Sequence, residues 1–380
     1  MKKDLAGKTL LLHAKFAGKL GTQVLTPIRT KDDLSLVYTP GVASVSSEIA
    51  KHPEKIYKYT IKSHTVAVVS DGSAVLGLGD IGAAAAIPVM EGKCALFKTF
   101  AGLDAFPICL TTQNPKEIIS IVKNISPVFG AINLEDISAP RCFEIEEALQ
   151  NIGIPVMHDD QHGTAVVVLA GLINALKVAG KKMNQIKVVL LGAGAAGNAI
   201  ANFLSDKVKE LVVVDSRGII SKKRSDLDKY KKRLLRFSNR KNVSGSLADA
   251  LPGADVFIGV SRGGLFEPGF VKLMNEKSII FALANPTPEI MPEIAHKAGA
   301  FIVASGRSDY PNQINNSLAF PGIFKGTLIS GASRITREMK ESAAVALSRL
   351  VKNPTREKII PGPFDKGVVE VVSRAVINAS

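Results

Sequence analysis

From about residue 64 onward, short apolar runs alternate with stretches of helical periodicity. Runs at 65–69, 94–97, 128–133 and 154–157 predict strands. Between them, 83–91, 114–125 and 139–151 space their apolar residues as helices do. Asn114-Pro115 gives the second of these helices an N-cap followed by proline in its first turn. Strand–helix alternation of this kind argues for βαβ units and a parallel sheet. A longer apolar stretch at 163–179 predicts a helix ending before Gly180, and a second alternating series opens with a strand at 186–191. Residues 1–30 read as a basic, partly helical arm with Leu10, Leu11, Ala14 and Ala17 on one face, ended by Pro27. Between 222 and 241, Leu227, Tyr230, Leu234, Leu235 and Phe237 recur at helical spacing among many Lys and Arg, which predicts a helix with a solvated basic face.

At 380 residues the chain exceeds one ordinary core, so two domains are expected. Apolar residues make up 46% with no Trp and only 6% aromatics, so the core is built from Val, Ile, Leu and Ala. That bias suits strands buried on both faces. The net charge of +14 fits a nucleic-acid binder, an enzyme drawing in anions, or plain surface solubility, and does not choose among them. Cys94, Cys109 and Cys142 are odd in number and lack C-x-x-C spacing, which argues against a disulfide framework and a structural zinc site. Lys8, His13 and Lys15 interrupt the N-terminus, so no signal-peptide core is read there. The longest apolar run, 164–176, is too short to span a bilayer. A cytoplasmic protein without membrane or nucleic-acid partners is expected.

The strand at 186–191 runs into Gly192-Ala193-Gly194-Ala195-Ala196-Gly197, a G-x-G-x-x-G hexamer that opens an apolar helix. Gly192 allows the tight turn, Gly194 the approach of a pyrophosphate, and Gly197 close packing of helix on strand. The run 211–214 forms the next strand and ends in Asp215, 18 residues beyond Gly197, where a carboxylate would bind the adenine ribose. Its charge favours NAD over NADP, although Ser216, Arg217, Lys222 and Lys223 lie close by for a 2′-phosphate. The expected fold is therefore α/β, with an N-terminal catalytic domain at 1–160. A Rossmann-like, doubly wound parallel-sheet NAD(P)-binding domain with C-terminal helices follows at 161–380.

Two acidic pairs precede the glycine loop, each after a strand: Glu135-Asp136, and Asp159-Asp160 within His158-Asp159-Asp160-Gln161-His162-Gly163-Thr164. Carboxyl ends of parallel strands line the ligand crevice, so both pairs gather at one edge. Crowded carboxylates call for a cation, and hard oxygen ligands suit Mg2+ or Mn2+. Either pair alone is also an ordinary cap or turn. His158 and His162 make a poor zinc set without a thiolate and read as packing or hydrogen-bonding residues. Lys93 sits at the start of the apolar run 94–97, either snorkelling or buried for chemistry, and burial beside a cation would lower its pKa. Tyr38 lies in the turn Tyr38-Thr39-Pro40-Gly41.

Jointly these motifs resemble the malic enzymes, in particular the short form. The matching segments, in family order, are Asp33 to Ala43, Leu76-Gly77-Leu78-Gly79-Asp80-Ile81-Gly82 and Pro88-Val89-Met90-Glu91-Gly92-Lys93. Asn133-Leu134-Glu135-Asp136-Ile137, the His158–Thr164 segment, the glycine loop, Ala284-Asn285-Pro286-Thr287-Pro288, and Asn315-Asn316 ahead of Phe320-Pro321-Gly322 follow. The resemblance implies a homodimeric enzyme that oxidatively decarboxylates malate to pyruvate with NAD or NADP and Mg2+ or Mn2+. It implies Tyr38 as general acid, Lys93 as general base paired with Asp159, and Glu135, Asp136 and Asp160 as metal ligands. Asn285 and Asn316 are implied as substrate and nicotinamide contacts. The cofactor loop spans Gly192, Gly194, Ala195, Ala196 and Gly197, with Asp215 beyond it. Larger members carry a substrate-binding Arg where this chain has Ser73-Ala74, so another residue must hold the second malate carboxylate. Rival readings are malolactic decarboxylation, an amino-acid dehydrogenase needing no divalent metal, and a basic nucleotide-sensing or nucleic-acid-binding module.

Overall fold

The computed structural model describes residues 2–75 and 77–380, so Leu76 of the Leu-Gly-Leu-Gly-Asp motif lies outside the described residues. Two sheets organise the chain. Strands β1 (Thr65–Ser70), β2 (Asp104–Cys109), β3 (Ala131–Leu134) and β4 (Val156–His158) form the first, all parallel, in the order β2-β1-β3-β4. β1, β3 and β4 are fully buried, which is why their sequences are mostly apolar and lack the alternation of a half-exposed strand. β2 went unread. It is an edge strand carrying Pro107, a residue tolerated only where one side of the ladder is open.

The apolar run 94–97 is not a strand. It finishes the Gly82–Leu96 helix and enters a π-type turn, Phe97–Ala101. Met90, Lys93, Cys94 and Phe97 are buried while Ala95 and Leu96 are half-buried, and an apolar run of four residues carries neither the strand nor the helix period. Lys93 therefore projects from the last turn of a helix, not from the start of a strand.

The second sheet comprises β5 (Lys187–Leu191), β6 (Glu210–Asp215), β7 (Gly218–Ile219), β8 (Val256–Gly259), β9 (Ile279–Ala282) and β10 (Ile302–Ser305). Their order is β10-β9-β8-β5-β6-β7, parallel except for the short β7. Strand order reverses between β5 and β8, the switch point at which a Rossmann-like sheet takes its ligand.

The two sheets are joined by the Asp159–Ala179 helix, which starts directly after β4, four residues earlier than the sequence predicts. By length and composition alone it would pass as a membrane span, but 72% of that span is buried within the protein. The Arg337–Arg349 helix packs on it, the helices Phe320–Ser330, Arg337–Arg349 and Val368–Asn378 pack on one another, and Phe320–Ser330 reaches the turn at Phe97–Ala101. There Phe97 meets Phe320 and Phe324 edge-on, with ring centroids 4.7 and 5.3 Å apart. In the basic stretch 222–241 the helix is only Lys229–Leu234, and Leu227, Tyr230 and Leu234 are buried beneath it. The arm helix Lys2–Phe16 forms, but Leu10 and Leu11 stay 73% and 72% exposed.

Candidate active site

The carboxyl ends of β3 and β4 bring the two acidic pairs together. One oxygen each from Glu135, Asp136 and Asp160 lies within 4.8 Å of the others. The backbone works to achieve this. Asp136 adopts a left-handed φ of 53°, a conformation costing of order 1–3 kcal/mol in a non-glycine residue and concentrated at functional sites. Its N–H donates to Asp160 Oδ2 at 2.8 Å, and Glu135 Oε2 accepts from Asn133 Nδ2 at 2.8 Å.

Lys93 enters from the Gly82–Leu96 helix. Its Nζ lies 2.6 Å from Asp159 Oδ2, 2.8 Å from Glu135 Oε1 and 4.3 Å from the centre of the Phe320 ring. Burial pulls its pKa down, yet the charges of Asp159, Glu135 and Asp160 outweigh burial and raise it overall. The lowering expected from the sequence belongs to burial beside a divalent cation; with three carboxylates alone acting on this lysine, the balance runs the other way. Burial likewise pushes Glu135, Asp159 and Asp160 upward, against the pull of the Lys93 charge. Four carboxylates against one ammonium leave an excess of negative charge in a buried place, and a divalent cation would relieve it. An all-oxygen set of three carboxylates matches the hard ions Mg2+ and Mn2+.

Asp159 owes its position to a missing side chain. A Cβ at Gly163, one turn along the same helix, would lie 1.8 Å from Asp159 Oδ1. The same point is 3.2 Å from Asn316 Cβ, which sets Asn316 beside the Lys93–Asp159 pair. Asn285 ends the β9 side of the cleft. Its carbonyl would lie 2.2 Å from a Cβ on Gly77, so the Leu-Gly-Leu-Gly-Asp loop of the first sheet presses on the second domain here.

Behind the acidic pair lies a buried network that sequence reasoning missed. Glu146 Oε1 accepts from the N–H of His158 at 2.8 Å, and Oε2 accepts from Gln161 Nε2 at 2.9 Å. His162 Nε2 lies 3.1 Å from Glu146, and Lys340 Nζ lies 3.0 Å from the other ring nitrogen. Glu146 thus fastens the first turn of the Asp159–Ala179 helix. It was overlooked because it sits among Cys142, Phe143, Ile145 and Leu149 on a helix whose pattern reads as ordinary packing. Arg141 was overlooked too. Its guanidinium reaches Asp71 Oδ2 at 3.3 Å and donates to Gln113 Oε1 at 2.9 Å. It stands beside the Ser73-Ala74 loop, where Ala74 N donates to Asp136 O at 2.9 Å and Ser138 N to Ser73 Oγ at 2.9 Å.

The glycine loop joins β5 to the Ala195–Leu204 helix. Gly192 has φ 117°, and a Cβ on Gly197 would lie 1.9 Å from Gly192 O. Ala195 and Ala196 form the first turn of that helix, which has no side-chain cap and so leaves N–H groups for an anion. Alongside runs a cleft of about 490 Å³ lined by Leu191, Asp215, Arg217 and Ser246, among others. Asp215 is held by Arg224 at 2.6 and 3.1 Å and by Lys231 at 2.8 Å. Burial works against these partners but loses, and its pKa falls below the usual carboxylate value.

Tyr38 is not among these residues. It caps the Lys31–Val37 helix, 67% exposed, and its side chain makes no hydrogen bond or ring contact among the described residues.

Two sequence families match the chain: the malic enzyme N-terminal domain over residues 17–118 and the malic enzyme NAD-binding domain over 161–376. The chain belongs to the malic enzyme family. It is 54% identical to the NAD-dependent malic enzyme of Geobacillus stearothermophilus, over 99% of this chain and 79% of that one. It is 51% identical to the bifunctional malic/malolactic enzyme of Bacillus subtilis, over 99% and 93%. The crystal structure of the NAD-dependent malic enzyme of Thermotoga maritima superposes with a TM-score of 0.95 at 52% identity, covering 98% of this chain and 99% of that one. That of the malic enzyme of Pyrococcus horikoshii gives 0.92 at 50%, covering 95% and 86%.

Proposed function

We propose that this malic enzyme oxidatively decarboxylates (S)-malate to pyruvate and CO2 while reducing NAD+, in the cytoplasm and as a homodimer. The observation that carries the reading is the convergence of Glu135, Asp136 and Asp160 around one point beside the buried Lys93–Asp159 pair. When bound by those three carboxylates, Mg2+ or Mn2+ supplies Lewis-acid polarisation of the substrate's oxygens and, by matching the carboxylates' charge, removes what keeps Lys93 protonated.

Lys93 takes the proton of the C2 hydroxyl as the C2 hydride leaves for the nicotinamide, and Asp159 orients its Nζ. Tyr38 then gives a proton to C3 of enolpyruvate after CO2 has left, and the proton held on Lys93 restores the phenol. Hydroxyl proton and C3 proton balance, so the net change is malate and NAD+ to pyruvate, CO2 and NADH. Asn285 and Asn316 contact the substrate and the nicotinamide. Arg141 supplies the cation for malate's second carboxylate, in place of the arginine absent at Ser73-Ala74.

The glycine loop 192–197 receives the pyrophosphate, and Asp215 the adenine ribose. A 2′-phosphate would be set against that carboxylate, so NAD is the preferred coenzyme. A kcat/KM ratio favouring NADP would reject the preference. The reaction itself is tested by following NADH and CO2 from malate in wild type and Lys93→Ala. Loss of about 10²–10⁴-fold in kcat, partly restored by small amines, is expected for a removed general base. Wild-type turnover in Lys93→Ala would overturn its role.

Malolactic decarboxylation is a second reading, favoured by the 51% identity to a relative bearing both activities. Lactate formed from malate without net NADH would identify it.

A further inference from the structure

Exposed large apolar side chains concentrate toward the N-terminus of the described chain. Among the described residues, twenty-six large apolar side chains stand exposed, and eighteen of them fall between Leu5 and Ile61. Neither the Lys31–Val37 helix nor the Val42–Lys51 helix has a single buried residue. The segment is moored at two points. Lys19 Nζ donates to the Pro88 carbonyl at 2.7 Å, and Lys62 Nζ donates to the carbonyls of Ser126, Pro127 and Phe129 at 2.9, 3.1 and 2.7 Å. Between those moorings, every described hydrogen bond and ion pair of residues 20–61 stays within residues 20–64. Exposed apolar side chains in this number along one segment call for a covering surface.

Tyr38 identifies what covers it. On the reading given above, this phenol works beside Lys93, yet it stands 67% exposed on the arm while Lys93 is 8% exposed in the body. Among the described residues, the ion-pair and ring partners of Lys93 are Asp159, Glu135 and Phe320, and none is a phenol. The body, for its part, leaves apolar side chains uncovered on the helix that carries Lys93 and on the loop before it. Ile87, 43% exposed, lies on the same helix as Lys93, and Leu78, 67% exposed, lies on the loop that presses against Asn285. A second copy of this chain brings both halves of the missing contact: an arm that must be covered and a site that lacks its tyrosine. A two-fold axis satisfies both copies at once, since each then gives what the other needs.

We propose that two copies pair so that the arm of each lies across the other and delivers Tyr38 to the partner's Lys93, making every active site a product of two chains. This rests on the assignment of Tyr38 as the acid. It goes beyond that assignment in stating which chain supplies it.

The test is complementation between two disabled full-length chains. Tyr38→Phe and Lys93→Ala, carrying different tags, are coexpressed and the mixed dimers purified. One site in each mixed dimer then holds both intact residues and the other neither. Mixed dimers should regain about half of wild-type specific activity, and an unfractionated equal mixture about a quarter. Because Lys93→Ala leaves crowded buried carboxylates, Asp160→Asn serves as a second mate for Tyr38→Phe. Coenzyme binding by each variant shows that it has folded.

Mixed dimers that form yet stay as slow as their parents would overturn the shared site and leave the acid role standing. Full turnover in Tyr38→Phe alone would remove the acid role and the shared site together. Light scattering that finds a monomer at assay concentration would also overturn it. Recovery with both mates establishes it.

Discussion

At the scale of single residues, the site depends on charges placed where water cannot screen them. Arg141 is the cation beside the Ser73-Ala74 loop, held by Asp71 and Gln113. Hydrogen bonds to charged groups are worth about 1.5–3 kcal/mol, so Arg141→Gln should raise the KM for malate roughly 10- to 100-fold. Steady-state kinetics with NAD+ saturating measures this, and an unchanged KM would remove Arg141 from the substrate's contacts. Glu146 is the anion of the network behind Asp159 and Asp160. Burial pushes its pKa up, but His162, Lys340 and His158 prevail and hold it at about 2. A carboxyl whose folded pKa is depressed stabilises the fold above its ordinary value near 4.5 and loses that contribution as pH falls toward 2. The difference in unfolding free energy between wild type and Glu146→Gln should therefore shrink by on the order of 3 kcal/mol between those pH values. Urea melts across the interval would show it, and parallel curves would contradict it.

At the scale of elements, the Asp159–Ala179 helix turns a strand end into chemistry. Gly163 lets its first turn carry Asp159 against Lys93, with no room for a methyl group. Gly163→Ala should displace Asp159 and cost about 1–3 kcal/mol through overpacking. Its kcat should fall at least about tenfold if the displacement loosens the Lys93–Asp159 pair by a comparable energy. A variant with lowered Tm but unchanged kcat would show that Asp159 can move without consequence.

These elements also show what the sequence could disclose. The runs that became β1, β3, β5 and β6 were legible because strands buried on both faces are apolar without interruption. The glycine loop was legible because each glycine answers a local steric demand. The 94–97 run was not, since an apolar stretch of four residues shows neither the helix nor the strand period. β2 hid behind Pro107, and Glu146 behind the apolar residues that flank it. The acidic pairs could be assigned to one edge from topology alone. The location of Tyr38 could not, because nothing local to 31–51 fixes where that arm lies.

At the scale of the whole molecule, a cation held by the acidic cluster would couple binding to stability. A divalent ion that binds the folded chain alone stabilises it by RT ln(1 + [L]/Kd), about 2.7 kcal/mol at a hundredfold excess over Kd. Thermal melts should therefore rise with Mg2+ or Mn2+ and fall back with EDTA. Asp160→Asn should flatten that response and lose malate turnover with it. An EDTA-treated wild type with unchanged Tm and full activity would sink the metal assignment.

The contact of Phe320 with Lys93 has a consequence for the order in which the protein becomes competent. Lys93 leaves the ribosome early, whereas the ring that lies against its ammonium is made 227 residues later. A nascent chain therefore carries the lysine and its carboxylates long before the helix that shelters them exists. Assembly of this site is a late event in the life of the polypeptide, completed only when the last helices fold back onto the first sheet.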